Sequence, residues 1–258
     1  MPEPDRDLQR LRRDWEALGA ADPLWAVYVA DERSGGRWQV DAFLRTGQCE
    51  VEESWRQHDR ILGFVPPEDG VALDFGCGVG RLSSALADRM GRVAGIDISE
   101  PMLRTARDVI PSSAAPRVSL ILSSSPRIPL ADGSVDLVYS SLVLQHMPEV
   151  LARGYLREFS RVLRPGGTAI IQVAEEPDLS VKGWAFRLLP HWLYGVLQRR
   201  VLRYPAPMRM QGLSMQAVAT ALAGCGAQVV ASWEDTTYGG HWRYRRILIR
   251  RDGAPEQP

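Results

Sequence analysis

Apolar positions along the middle of the chain follow two alternating rhythms. Between Val71 and Ala174, short apolar runs at 71–74, 92–96, 117–122, 135–139 and 167–173 are separated by stretches at 80–89, 100–109 and 148–162 that read as helices. Runs of that length suit strands buried on both faces, and the intervening segments suit helices that cover them. The pattern predicts an α/β fold with a doubly wound, mostly parallel sheet. Pro165-Gly166-Gly167 is expected to stop the last of these helices and turn the chain into the fifth strand.

Outside this region the rhythm changes. Leu8, Leu11, Trp15 and Leu18 recur at three- and four-residue steps and predict a helix over 5–18. Pro23 and Ser34-Gly35-Gly36 interrupt the pattern, and a second helix is expected over 50–62. Residues 1–64 therefore read as an N-terminal helical segment. It either packs on the sheet or closes as a lid through Trp25, Tyr28 and Trp38. After Ala174 an insertion, taken as 176–212, carries Trp184, Phe186, Leu188, Trp192 and Leu193 around Pro190, and reads as an apolar helical cap. A helix at LSMQAVATALAGC and two strands, AQVVASWE and HWRYRRILIR, complete a main domain over 65–252. The tail 253–258 is expected to be disordered.

Charge narrows the possible partners. The 31 Lys and Arg residues balance 31 Asp and Glu, so no global field draws the chain toward nucleic acid. No run of about 18 apolar residues predicts a transmembrane span, and the charged N-terminus lacks a signal-peptide core. Cys49, Cys77 and Cys225 are widely separated and show no metal-ligand or disulfide spacing. A cytoplasmic protein without a metal, acting on a small molecule, is the expectation; oligomeric state is left open.

The chemistry begins at VALDFGCGVGRLS, residues 71–83. A strand ending near Asp74 turns through Gly76, Gly78 and Gly80 into a helix, so a ligand could approach bare backbone and free N–H groups. The order D-x-G-x-G-x-G departs from the dinucleotide fingerprint G-x-G-x-x-G. A second acid, Asp97, ends the next apolar run 23 positions later, where it can accept the hydroxyls of a ribose.

With GIDIS at 95–99, SVDLVYSSLVLQHMP at 134–148 and LRPGG at 163–167 added in order, the chain resembles the class I S-adenosylmethionine-dependent methyltransferases over residues 65–175. The resemblance implies a seven-stranded Rossmann-like sheet in the order 3-2-1-4-5-7-6, with the last strand antiparallel. It implies S-adenosylmethionine as cofactor, with Gly76, Gly78 and Gly80 near its methionine part and Cys77, Arg81 and Met102 also among the residues that bind it. Asp74 would anchor the ammonium group directly or through water, Asp97 would hold the ribose and Ile98 would lie against the adenine, with Ser141, beyond the fourth strand, also binding the cofactor. Where the third strand should end in an acid for the adenine amino group, this chain has Ser124, with Ser125 beside it as an alternative. The Asn-Pro-Pro-aromatic motif of many base and glutamine methyltransferases is replaced by Ser140-Ser141-Leu142.

His146 lies past the fourth strand, at the edge where a methyl group would point, and is a candidate base for a hydroxyl acceptor or a local structural residue. Trp38, Trp184, His191, Arg209 and His241 are candidates for the substrate side, each with a packing or solvated-surface alternative. The function expected is methyl transfer to oxygen or nitrogen of a small, partly apolar molecule. The alternative is a methyltransferase-like subunit that binds cofactor without turnover.

Overall fold

The computed structural model describes residues 3–29, 33–177, 198–200, 203–238 and 241–253. Its centre is a sheet of seven strands: β1 (Val71–Phe75), β2 (Arg92–Asp97), β3 (Val118–Leu122), β4 (Val135–Ser140), β5 (Leu163–Pro177), β6 (Ala227–Asp235) and β7 (Trp242–Arg251). Their spatial order is 3-2-1-4-5-7-6, parallel from β3 through β5, with β7 antiparallel to both β5 and β6. This is the sheet implied by the resemblance.

Helices cover both faces. Their order is α1 (Glu3–Ala21), α2 (Pro23–Val27), α3 (Val40–Leu62), α4 (Arg81–Ala87), α5 (Glu100–Val109), α6 (Glu149–Val162) and α7 (Met215–Leu222). Alternation along the strands decides which layer each side chain joins. Leu73 and Phe75 of β1 pack with Leu8 and Leu11 of α1, the apolar stripe of α6, and α7. Ala72, one position out of phase, packs with Val51 and Trp55 of α3 and with α4 and α5. A third cluster joins α1, α2 and α3 through Leu18, Trp25, Phe43 and Val79.

Several boundaries differ from the sequence reading, each for a local reason. The helix expected over 50–62 starts ten residues earlier, at Val40. Gly47, a poor helix former, lies inside it because a Cβ there would sit 2.5 Å from the carbonyl oxygen of Arg81. Pro23 starts α2 rather than ending a segment; Asp22 caps that helix by accepting from the Trp25 N–H. β5 begins at Leu163 and continues to Pro177, paired with Trp242, so the first two residues assigned to the cap belong to a strand. Residues 178–197, which hold Trp184 and His191, lie outside the described residues, as do 254–258 of the tail. Beyond residues 178–197, the Leu213 N–H donates to the Ala174 carbonyl near the carboxyl end of β5. Among the described residues, no helix is long and apolar enough to cross a membrane, and no cluster of three metal-ligating side chains occurs.

Candidate active site

The glycine turn is built at the carboxyl ends of β1 and β2. Gly76, Gly78 and Gly80 all have positive φ, at 75°, 53° and 80°, and the N–H groups of Gly76 and Cys77 both donate to the Ile96 carbonyl at 2.8 and 3.0 Å. Glycine also permits close approach here: Val143 lies against Gly76 and Val27 against Gly78. The turn is thus stitched to β2 and roofed by two valines.

A cleft opens beside it, with about 880 Å³ of empty space including its mouth. Asp97 lines this cleft and uses its carboxylate to order the surroundings. It accepts from the Gly78 N–H and the Ser99 N–H, each at 2.8 Å. Burial raises its pKa, and those backbone donors oppose the rise. Ile98, Met102, Leu11, Ile128 and Pro129 supply apolar wall, a lining suited to an aromatic ring with an adjoining acid for hydroxyl groups.

The opposite wall includes Ser141, Leu142, Val143 and His146, and Trp15 of α1 also lines the cleft. His146 is held by its Nδ1, 2.7 Å from the Arg209 carbonyl oxygen, and Trp15 meets its ring edge-on with centroids 5.1 Å apart. Burial lowers the His146 pKa to about 4, with the Arg209 carbonyl opposing. The ring is therefore neutral near pH 7. Because a carbonyl can only accept, the proton sits on Nδ1 and Nε2 keeps its lone pair.

The structure brings Gly76, Gly78, Asp97, Ile98, Met102, Ser125, Ser141 and His146 to one cleft. Other candidates lie elsewhere. Asp74 is one position out of phase with Phe75, so Phe75 lines the cleft while Asp74 is buried beneath the turn, accepting from Ser83 Oγ at 2.6 Å. Burial raises the Asp74 pKa to about 7, with the Ser83 bond opposing. Cys77 is buried and its thiol pKa is pushed well up by desolvation. Gly80 is the left-handed N-cap of α4 and packs on Ile110. Ser124 is exposed past the end of β3, and its neighbours Ser123 and Ser125 face the cleft instead.

Arg81 is 2 % exposed and belongs to a buried polar cluster. It pairs with Glu50 of α3 at 2.8 Å and donates to the Tyr238 hydroxyl at 2.7 Å. Arg246 of β7 pairs with the other Glu50 oxygen at 2.8 Å and with Asp235 at 2.9 Å. Tyr139 and Ser54 complete the cluster around Arg246. Tyr238 also bonds to Glu50 and lies 3.4 Å from Ser141 Oγ, which links the cluster to the cleft wall.

On the substrate side, Arg209 contributes its carbonyl to the site, while its guanidinium lies among the charges of Arg10, Asp14, Arg199 and Asp7. Trp38 packs against Tyr28 and Phe43 and donates to the Tyr28 carbonyl. His241 is half-buried immediately before β7. The cleft also takes in Leu8, Leu11, Trp15, Val27, Phe75, Leu142, Val143 and Tyr155, which carry no motif that marks them as site residues. Leu8, Leu11 and Trp15 were visible only as a helical stripe.

Sheet order, a glycine turn after the first strand and an acid at the tip of the second define the Rossmann-like methyltransferase fold. The chain is similar in these features to the class I S-adenosylmethionine-dependent methyltransferases, and its residues 73–171 match the family model described as a methyltransferase domain. Methyltransferase GfsG of Streptomyces halstedii is 31% identical over 169 residues, covering 63% of this chain and 56% of that protein. A demethylmenaquinone methyltransferase of Staphylococcus aureus is 32% identical over 136 residues, covering 51% and 54%. The chain thus spans about half the length of the curated relatives it matches. Magnesium protoporphyrin IX methyltransferase of Synechocystis, solved with bound S-adenosylhomocysteine, superposes with a TM-score of 0.63 at 21% identity, covering 95% of this chain and 100% of that one. The family's cofactor is S-adenosylmethionine.

Proposed function

We propose that the chain transfers a methyl group from S-adenosylmethionine to an oxygen or nitrogen of a small, partly apolar molecule, with His146 as the base. The observation that carries this reading is the neutral imidazole at the cleft wall, its tautomer fixed by the Arg209 carbonyl 2.7 Å away. When bound, the cofactor supplies an electrophilic methyl group on a sulfonium. Asp97 would hold its ribose hydroxyls, Ile98 and Met102 its adenine, and the backbone of Gly76 and Gly78 its amino-acid part. Ser123 and Ser125, rather than Ser124, stand where the adenine edge would be read.

Alignment and exclusion of water do most of the work in such a displacement. Trp15, Leu142 and Val143 would keep the acceptor end of the cleft apolar, and His146 Nε2 would accept the acceptor's proton as the methyl group leaves the sulfonium sulfur, so that S-adenosylhomocysteine departs neutral and the positive charge passes to the imidazole. The names of the relatives, with demethylmenaquinone and magnesium protoporphyrin IX as their substrates, support an acceptor with an extended apolar ring system.

Calorimetry with S-adenosylmethionine and S-adenosylhomocysteine, followed by a screen of phenolic, quinol and carboxylate acceptors with methyl-labelled cofactor, tests the reading. His146→Ala should lose turnover while keeping cofactor affinity within a few-fold. Normal turnover in that variant would return the histidine to a structural role. Cofactor binding with no transfer across the screen would favour a regulatory subunit.

A further inference from the structure

The wall between β4 and His146 depends on an unusual piece of backbone. Leu142 has φ of 61°, in the left-handed region that L-residues rarely enter. That kink sends Val143 back against Gly76 and starts the tight turn Leu144–His146, in which the His146 N–H donates to the Val143 carbonyl at 3.0 Å. The position of the imidazole therefore depends on the conformation of Leu142.

What holds Leu142 comes from outside the cleft. Gln172, in the middle of β5 and fully buried, accepts from the Leu142 N–H at 2.9 Å and donates its amide to Asp235 at 2.7 Å. Asp235 pairs with Arg246, and Arg246 with Glu50. The amide orientation follows from its partners, since an N–H must meet Oε1 and a carboxylate must meet Nε2. A side chain that accepts on one atom and donates on the next is required at this position.

The geometry points to Gln172 as a positioning residue: it fixes the left-handed backbone at Leu142 and thereby places Val143 and His146 at the cofactor cleft without touching ligand itself. This rests on the reading that the cleft binds S-adenosylmethionine. An apolar residue at 172 would leave the Leu142 N–H without its partner and would take one of two donors from Asp235 Oδ2, which keeps Arg246 Nε. Such losses are worth about tenfold in an equilibrium that requires the arranged loop.

The isostere Gln172→Glu separates positioning from simple packing. Gln172 faces Asp235 and lies opposite Arg246 in the β5–β7 ladder, with Glu50, Arg81, Tyr139, Tyr238 and Tyr244 in the surrounding shell. In that shell Glu50 and Asp235 are balanced by Arg81 and Arg246. A third buried acid has no cation to match and must take up a proton. Once protonated, its hydroxyl can donate to Asp235 while its other oxygen accepts from Leu142, which reproduces the amide pattern.

The test is calorimetric titration of S-adenosylhomocysteine into the full chain, read as the ratio of variant to wild-type affinity from pH 5.5 to 8. Gln172→Glu should bind about tenfold more weakly at pH 8 and recover to within about threefold at pH 5.5. Gln172→Met should be weak at every pH. A pH-independent ratio for Gln172→Glu, or wild-type affinity in Gln172→Met, overturns the assignment. If Gln172→Glu does not fold, Leu142→Gly decides, because glycine needs no help at positive φ. Added to Gln172→Met, it should recover affinity, and a purely additive loss would sink the idea. Failure of the wild-type chain to bind S-adenosylhomocysteine refutes the cofactor reading of the cleft instead.

Discussion

Replacing Glu50 by glutamine removes one negative charge from a place where water cannot compensate. The Glu50 side chain is fully buried, with Arg81 and Arg246 each 2.8 Å from one of its oxygens. Without it, Arg81 loses its carboxylate partner and Arg246 keeps only Asp235, and the amide that replaces the carboxylate turns an N–H₂ toward one of the two guanidinium groups. Breaking a buried pair by removing one partner costs about 3–5 kcal/mol, and a domain of this size shifts by about 2–4 °C per kcal/mol. The expected thermal midpoint for Glu50→Gln is therefore about 10 °C below wild type. Differential scanning calorimetry of both proteins at pH 7.5 is the assay. The pH dependence supplies a second reading of the same charge. Burial alone would raise the Glu50 pKa, but Arg81, Arg246 and the Tyr238 hydroxyl hold it well below the usual carboxylate range. Its contribution is thus fully present above the unfolded value of 4.5 and declines as pH falls below it. The gap between wild type and variant should narrow under acid. A midpoint within 2 °C of wild type at pH 7.5, or a gap that widens below pH 4.5, would refute the reasoning.

Two further outcomes follow from the acids of β1 and β2. Asp97→Ala removes the acceptor of the Gly78 and Ser99 N–H groups together with the proposed ribose partner; S-adenosylhomocysteine should bind about a hundredfold more weakly by calorimetry, and a loss under threefold would remove Asp97 from the site. In cofactor-free protein, the Asp74 pKa of about 7 exceeds its unfolded value of 3.8, so folding takes up a proton and stability falls as pH rises between those values. Asp74→Asn, neutral throughout, should flatten that decline in urea midpoints taken from pH 4 to 8, and a slope parallel to wild type would count against it.

The parts of the fold legible in the sequence are those whose residues answer to one environment. Strands β1, β2 and β4 are apolar along nearly their whole length because helices bury both faces, and the glycines and Asp97 carry their own spacing. The early half of α3 was hidden because Thr46 and Gly47 lower helix propensity, whereas burial of Phe43 and Leu44 and the close approach to Arg81 decide the matter in the folded chain. Site membership was harder to read than fold. Phase along β1 puts Phe75 rather than Asp74 on the cleft, and loop direction after β3 turns Ser123 and Ser125 inward and Ser124 outward. Neither follows from the residue types. Glu50, Arg81 and Arg246 come from three distant segments, so no local pattern announces their cluster.

That cluster is a poor way to gain stability. Well-packed apolar residues of the same volume commonly do as well as or better than a buried ion pair. What leucine or methionine could not provide is direction. Through Tyr238 the cluster reaches the Ser141 hydroxyl, and through Asp235 and Gln172 it reaches the Leu142 N–H. Two consecutive residues of the cleft wall are thus fixed by bonds of defined length and angle, on the loop that carries His146. Methyl transfer asks a protein mainly for alignment in a dry cleft. The four buried charges lie where they can supply that alignment while remaining away from the ligand.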